Sequence, residues 1–533
     1  MLQTTMCRRG MVVAPHHLAA DAGLSVLREG GNAVEAMIAA AATTAVVYPH
    51  MNALGGDNFW LVSAAGRAPT AIDASGPAAR LADTHLYREA GHAAIPSRGP
   101  LAALTVAGAV GGWQLALDEA RRLGGRMPLA RLLEDAVAHA MDGFPVSGTQ
   151  HRATRAKLAE LRDQPGFAEA FLPGGEVPAL GATFTSVRLA ETLERLSAAG
   201  LDDFYRGDIA RVIARELEAA GSPLRLADLE AYRARRVTPL SVRLAHGTVF
   251  NLPPPTQGLA SLMILGLVER LPRPMPDSFD YVHGLVESTK QAFLVRDRYV
   301  TDPDFMTIDP QAELAPARLA ERATTIDMKH ALPWPQPANP GDTVWLGAVD
   351  AAGNAVSFIQ SIYWEFGSGV VLATTGIVWQ NRGTSFSLDP ARQNALVPGR
   401  RPFHTIQPAL ALLDDGRVMP YGTMGGEGQP QTQAAIYTRH VVHGQELQQA
   451  ISAPRWLLGR TWGADIMNLR LESRFDPAVV DALSRAGHDV ELIGPFDEVM
   501  GHAGALVLHR SGVRAGLIEG AADPRGDGRP AGF

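Results

Sequence analysis

The chain has 533 residues, a formal net charge of −7, 46% hydrophobic residues, 54 glycines and 37 prolines, the composition of a loop-rich globular protein with a large core. An acidic balance without a basic run excludes a nucleic-acid surface, which needs clustered Lys and Arg. The one cysteine, Cys7, rules out an internal disulfide and fits a reducing, cytoplasmic setting.

The opening stretch carries Arg8 and Arg9, but His16, His17, Asp21 and Gly23 interrupt any apolar run, so no export signal is expected. Gly30 and Gly31 make a turn, and Asn32 is placed to cap the helix AVEAMIAAAATTAVVYP. Glu35 and a length short of the ~20 residues of a membrane span make this a buried helix, and no membrane partner is expected. NALGGDNFWLV and GRAPTAIDASG then predict a β-hairpin. From about Ala102 to Val300 the three- and four-residue apolar spacing predicts mostly helix.

The stretch PWPQPANPG, residues 333–341, places four prolines ahead of Thr343 and reads as an extended tether. Beyond it the pattern turns to strands: TVWLGAVD, AVSFIQSIYW, GVVLATTGIVW, ALALLDDGRVMPYGTMGG and MNLRLESRF. Helices return at QPQTQAAIYTRHVVHG and DPAVVDALSRAG. Helices first and strands later, with hairpins near both ends, predict a layered α+β fold with one shared core.

A threonine hydroxyl is a poor nucleophile unless a base adjoins it, and an α-amino group of pKa ~7.7–8.0 can be that base if the threonine begins a chain. The run GDTVWLGAVDAAGNAVSFIQSIYWEFGSGVV resembles the small-subunit start of the gamma-glutamyltransferase family, N-terminal-nucleophile hydrolases that cut themselves before such a threonine. GMVVAPHHLAADAG, GGNAVEA, LGGDNFWLV, LPPPTQG, ESTKQAFLVRDRY, RPFHTIQPAL and GTMGGEGQPQ follow the family's order across nearly the whole chain. The resemblance implies a four-layer αββα sandwich built jointly by a large subunit, 1–342, and a small subunit, 343–533. It implies cleavage between Asp342 and Thr343, Thr343 as nucleophile, Gly425 and Gly426 as the source of the oxyanion hole, and Ser361 as a supporting hydroxyl. No cofactor or metal is implied, and His16 and His17 lack metal-site spacing. The partners implied are a small-molecule amide and the sister fragment, with a dimer of such pairs left open.

The chain also departs from the main family pattern. Thr343 is followed by Val344 and Trp345, where a second threonine and a histidine are usual. The arginine and two serines that clamp a substrate α-carboxylate are missing, with His404 and Thr405 at the serine positions. The acid that holds an α-amino group is replaced by Ser385 with Arg382 nearby, and Tyr363 stands for an asparagine. The stretches GMVVAPHH, YPHMNALGGDNFW, QNRG and RPFHTIQPAL are most similar to the gamma-glutamyltransferase-like branch that includes oxamate amidohydrolases, which implies a small amide acid such as oxamate as substrate. Arg382, His404 and Thr405 are then candidate carboxylate partners, since planar guanidinium and charge-assisted donors suit a carboxylate. A glutathione-acting transferase, a cephalosporin-type acylase and a non-catalytic scaffold remain as alternatives.

Overall fold

The computed structural model describes residues 3–334, 342–459 and 467–533. The predicted tether therefore lies, from residue 335 on, outside the described residues. No helix of the described residues is long and apolar enough to cross a membrane.

Two seven-stranded antiparallel sheets form the centre. The first runs Arg529–Gly532, Gly10–Ala14, Asp342–Asp350, Ala355–Tyr363, Asp57–Ser63, Thr70–Ala74, Arg235–Val237. The second runs Thr5–Cys7, Ile518–Ala522, Ala503–His509, Arg417–Thr423, Ala409–Leu413, Gly247–Asn251, Leu240–Leu244. Each sheet combines strands from both sides of position 342, so neither part could complete a sheet alone.

Three apolar cores match the four layers. Met11, Val13, Phe59, Trp345, Ile359, Leu410, Val418 and Leu506 fill the space between the sheets. The helices His17–Arg28 and Ala33–Val47 pack on the outside of the first sheet with Val344, Leu346 and Phe358. The helices Gly258–Val268, Phe279–Tyr299 and Gly428–Tyr437 cover the second. Helix Ala33–Val47 is buried on every side and begins as the sequence predicts: Asn32 Oδ1 accepts from the N–H groups of Val34 and Glu35, and Glu35 returns a carboxylate to Asn32 N. Such a capping box is worth about 1 kcal/mol.

Two stretches differ from the sequence expectation. Within the region read as helical, Leu240–Leu244 and Gly247–Asn251 form a hairpin at the edge of the second sheet. Its alternating buried and half-exposed residues are a period-two pattern set among helices. Conversely, GVVLATTGIVW is a loop: Gly376 takes φ of +67°, its N–H bonds the Leu372 carbonyl, and its strand pairing is reduced to the isolated bridges Val371–Val378 and Gly55–Trp379. Its apolar residues are buried in the helix-side core, which explains the strand-like composition.

Trp345 locks the Thr343 strand to the facing sheet. Its indole lies against Gly422 and Gly504, where added Cβ atoms would stand 2.2 and 2.5 Å from ring atoms. Its Nε1 donates to Ser357 Oγ at 2.9 Å.

Candidate active site

Strand alternation places the site. Val344, Leu346 and Ala348 point to the helix-side core and Trp345 and Val349 to the inter-sheet core, so Thr343 is directed to the inter-sheet face. Thr343 is fully buried. Across the sheet Asp342 opposes Tyr363 and Ser361 opposes Asp57, which sets Thr343, Ser361 and Asp57 along one end of the first sheet. The register shift beside Thr343 leaves Ser361 and Ile362 both opposite it. Ser361 Oγ accepts from Tyr363 N at 2.8 Å.

The second sheet delivers its residues to the same end. His404 and Thr405 precede Ala409–Leu413, and Gly425 and Gly426 follow Arg417–Thr423. His404 Nε2 lies 3.6 Å from Asp57 Oδ2, and the His404 ring meets Phe59 edge-on at 5.1 Å. Gly425 and Gly426 take φ of +114° and +52°, a region closed to most side-chain-bearing residues. The Gly425 carbonyl accepts from Gly428 N, so the N–H on the same peptide plane, that of Gly426, points the opposite way. The helix Gly428–Tyr437 starts directly behind, and its N-terminal dipole favours negative charge at this turn.

Arg382, in the turn Arg382–Ser385, is only 1% exposed. Its guanidinium lies 3.8 Å over the Tyr363 ring, and its Nη1 donates to Thr405 Oγ1 at 3.3 Å. Nε and Nη2 have no partner among the described residues. Burial lowers its pKa to about 10, which leaves it charged at neutral pH. Both ring nitrogens of His404 are likewise without hydrogen bonds, and burial holds its pKa well below the usual imidazole range. Buried polar groups are almost always paired, so this concentration of open donors marks a place made for a polar guest.

The structure thus brings together Arg382, His404, Thr405 and Tyr363 in one cluster beside the Ser361–Asp57 end of the Thr343 strand. Gly425 and Gly426 join through a residue to which the sequence reading gave no role. Gln257 Nε2 donates to the Thr405 carbonyl at 2.6 Å and to the Gly426 carbonyl at 2.8 Å. Its Oε1 accepts from Arg296 Nη1, whose Nη2 pairs with Glu427 at 2.7 Å. Gln257, Arg296 and Glu427 lie in LPPPTQG, ESTKQAFLVRDRY and GTMGGEGQPQ, where neighbouring glycines, prolines and charges give no local sign that these side chains are buried. Asp57, in LGGDNFWLV, was missed in the same way. Ser385 turns aside to the Phe403 carbonyl.

Among the described residues one group has metal-ligand character, His283, Glu287 and His488 on the outer helical layer. Lys290 Nζ occupies Glu287 at 2.7 Å, and His283 bonds His488 on one nitrogen and the Asp327 carbonyl on the other. These contacts close the cluster and secure residues 327–332, since Glu287 and Lys290 also hold the Leu332 N–H and carbonyl.

A family profile described as Gamma-glutamyltranspeptidase matches residues 19–533. The oxamate amidohydrolase proenzyme of Klebsiella pneumoniae is 55% identical over 534 residues, covering 100% of both chains. The glutathione hydrolase-like YwrD proenzyme of Bacillus subtilis is 41% identical over 536 residues, again with 100% of each covered. Among solved structures, a cephalosporin acylase from Bacillus halodurans superposes with a TM-score of 0.91 at 33% identity, covering 100% of this chain and 97% of its own.

Proposed function

Because this chain belongs to the gamma-glutamyltranspeptidase family, we propose that it is a self-processing amidohydrolase with Thr343 as N-terminal nucleophile and a small amide-bearing carboxylic acid, oxamate, as substrate. The observation that carries the substrate class is Arg382, a buried, charged guanidinium whose Nε and Nη2 are both open, seated on Tyr363 and flanked by Thr405 and His404. A planar guanidinium pairs with a carboxylate through two parallel bonds.

Processing begins with Thr343 Oγ attacking the Asp342 carbonyl. The acyl group moves from nitrogen to oxygen, and water opens the ester, leaving fragments 1–342 and 343–533. The interleaved strands keep the two as a heterodimer. The freed Thr343 amine takes the proton of its own hydroxyl. Oγ then attacks the amide carbon of oxamate while Arg382 holds the neighbouring carboxylate. The tetrahedral oxyanion is received by the N–H groups of Gly425 and Gly426, where one donor is worth about 3–4 kcal/mol of barrier. The amine returns its proton to the leaving nitrogen, and ammonia departs. Water, activated by the same amine, releases oxalate. The single cysteine suits a cytoplasmic site of action.

Asp57 favours one second reading. A buried carboxylate oxygen that no donor meets in strict hydrogen-bond geometry, in the same pocket as Arg382, could hold an α-ammonium group, which would return the site to γ-glutamyl substrates. Ammonia or amine release from oxamate, a γ-glutamyl anilide and a glutaryl amide separates the readings. Oxamate should be turned over at least tenfold faster in kcat/KM than either of the others. An inert oxamate beside a reactive γ-glutamyl compound would overturn the assignment.

A further inference from the structure

Asp57 and His404 make an unusual pair. Asp57 Oδ1 is satisfied by the N–H groups of Gly76 and Gly108 at 3.1 and 2.9 Å. Its Oδ2 meets no donor within strict hydrogen-bond geometry, with the Gln380 side chain beside the carboxylate and His404 Nε2 3.6 Å away. Both side chains are completely buried. Burial pushes the Asp57 carboxyl up to about 7, with the Arg382 charge pulling the other way. The other groups facing the pair can be named. Arg382 stays cationic, and Arg401 adds positive charge on the His404 side. Tyr205 and Tyr232 sense Asp57 from the helical layer, and burial keeps both phenols neutral. The Thr343 amine of the cleaved form is a further titratable group at this end of the sheet.

Bringing a substrate carboxylate onto Arg382 would set two anions against one guanidinium in a dry pocket. Two carboxylates sharing such a site cannot both stay ionised, and the pKa of one rises. Resting on the carboxylate-amide reading above, we propose that the Asp57–His404 pair takes up one proton from solvent when the substrate carboxylate docks on Arg382, so that the site selects guests with a single negative charge and no ammonium group. The proton settles on Asp57 Oδ2, and closing the 3.6 Å gap turns it into an O–H donor to His404 Nε2, satisfying both open atoms. A substrate with an ammonium group acts in the opposite sense, because it binds best to ionised Asp57. One pair of side chains thereby separates a plain amide acid from an amino-acid amide.

The probe is pyruvate, which has the size, planarity and charge of oxamate without the amide. Its inhibition constant against oxamate turnover is measured from about pH 6 to about pH 9 for the wild type and for Asp57→Asn. Asparagine keeps the oxygen that serves Gly76 and Gly108 but has no proton to gain. Above about pH 7 the wild-type constant should rise more steeply than that of the variant, by up to tenfold per pH unit. Below that pH the two should run parallel. Both proteins share the Thr343 amine, so the difference isolates Asp57. Calorimetry in two buffers of different ionisation enthalpy should show the matching excess proton uptake in the wild type, and Asp57→Ser serves if the asparagine variant does not fold. Equal slopes and equal proton counts overturn the proposal even if oxamate is turned over. Tighter binding of pyruvate with rising pH overturns it too. An enzyme inert to oxamate and blind to pyruvate brings down the substrate assignment itself, and the proton coupling with it.

Discussion

Thr343→Ala is expected to yield a single chain of 56.7 kDa on a denaturing gel and to release no measurable ammonia from any amide. The methyl group cannot attack the Asp342 carbonyl, so no ester forms, and the amine that should serve as base stays locked in a peptide bond. Both halves of the chemistry vanish together, and loss of a nucleophile alone typically costs about 10⁶-fold in kcat. The fold should survive, because Thr343 sits at the start of a strand whose anchor is Trp345, two residues on. Far-ultraviolet circular dichroism of variant and wild type should therefore superpose. Ammonia release by the unprocessed variant at wild-type rate would remove Thr343 from the mechanism.

Arg382→Met is expected to spare processing and to cripple use of anionic substrates. Truncating one partner of a buried, hydrogen-bonded charge pair costs about 2–5 kcal/mol, so kcat/KM for oxamate should fall by ~30- to ~4,000-fold, mostly through KM. Arg382→Lys keeps the charge but loses the fork and the flat contact with Tyr363, and should fall between. Stability should not rise, because Arg382→Met leaves the buried Asp57 carboxylate without its counter-charge and pushes its pKa further up. A melting temperature lowered at high pH more than at low pH would mark that loss. Undiminished kcat/KM in Arg382→Met would move the carboxylate elsewhere.

Much of this arrangement can be read from the sequence because local chemistry and global fold agree. Asn32 and Glu35 announce the start of the helix that covers the first sheet, and LGGDNFWLV and DAAGNAVSFIQ carry the turns and alternation of strands that become neighbours. The layered α+β expectation matches the two sheets and their three cores. What escaped depended on the third dimension. The hairpin Leu240–Asn251 pairs with Ala409–Leu413, more than 150 residues away, so its strands gain their reason to form only from a distant partner. The loop around Gly376 is apolar because it is buried, while its backbone turns on itself. In the site, Arg382, His404 and Thr405 could be picked out as candidates. Their pairing with Tyr363 and Asp57 could not, because sheet register and the packing of one sheet on the other decide it. Gln257 is the sharpest case: a lone amide in LPPPTQG that turns out to tie the Thr405 carbonyl to the Gly426 carbonyl.

Everything proposed for catalysis depends on a new chain end at Thr343. Purified protein should separate into two fragments, and sequencing the lighter one from its N-terminus should read Thr-Val-Trp, with an intact mass matching residues 343–533. A different first residue, or an uncut chain that turns over substrate at the full rate, would contradict the mechanism.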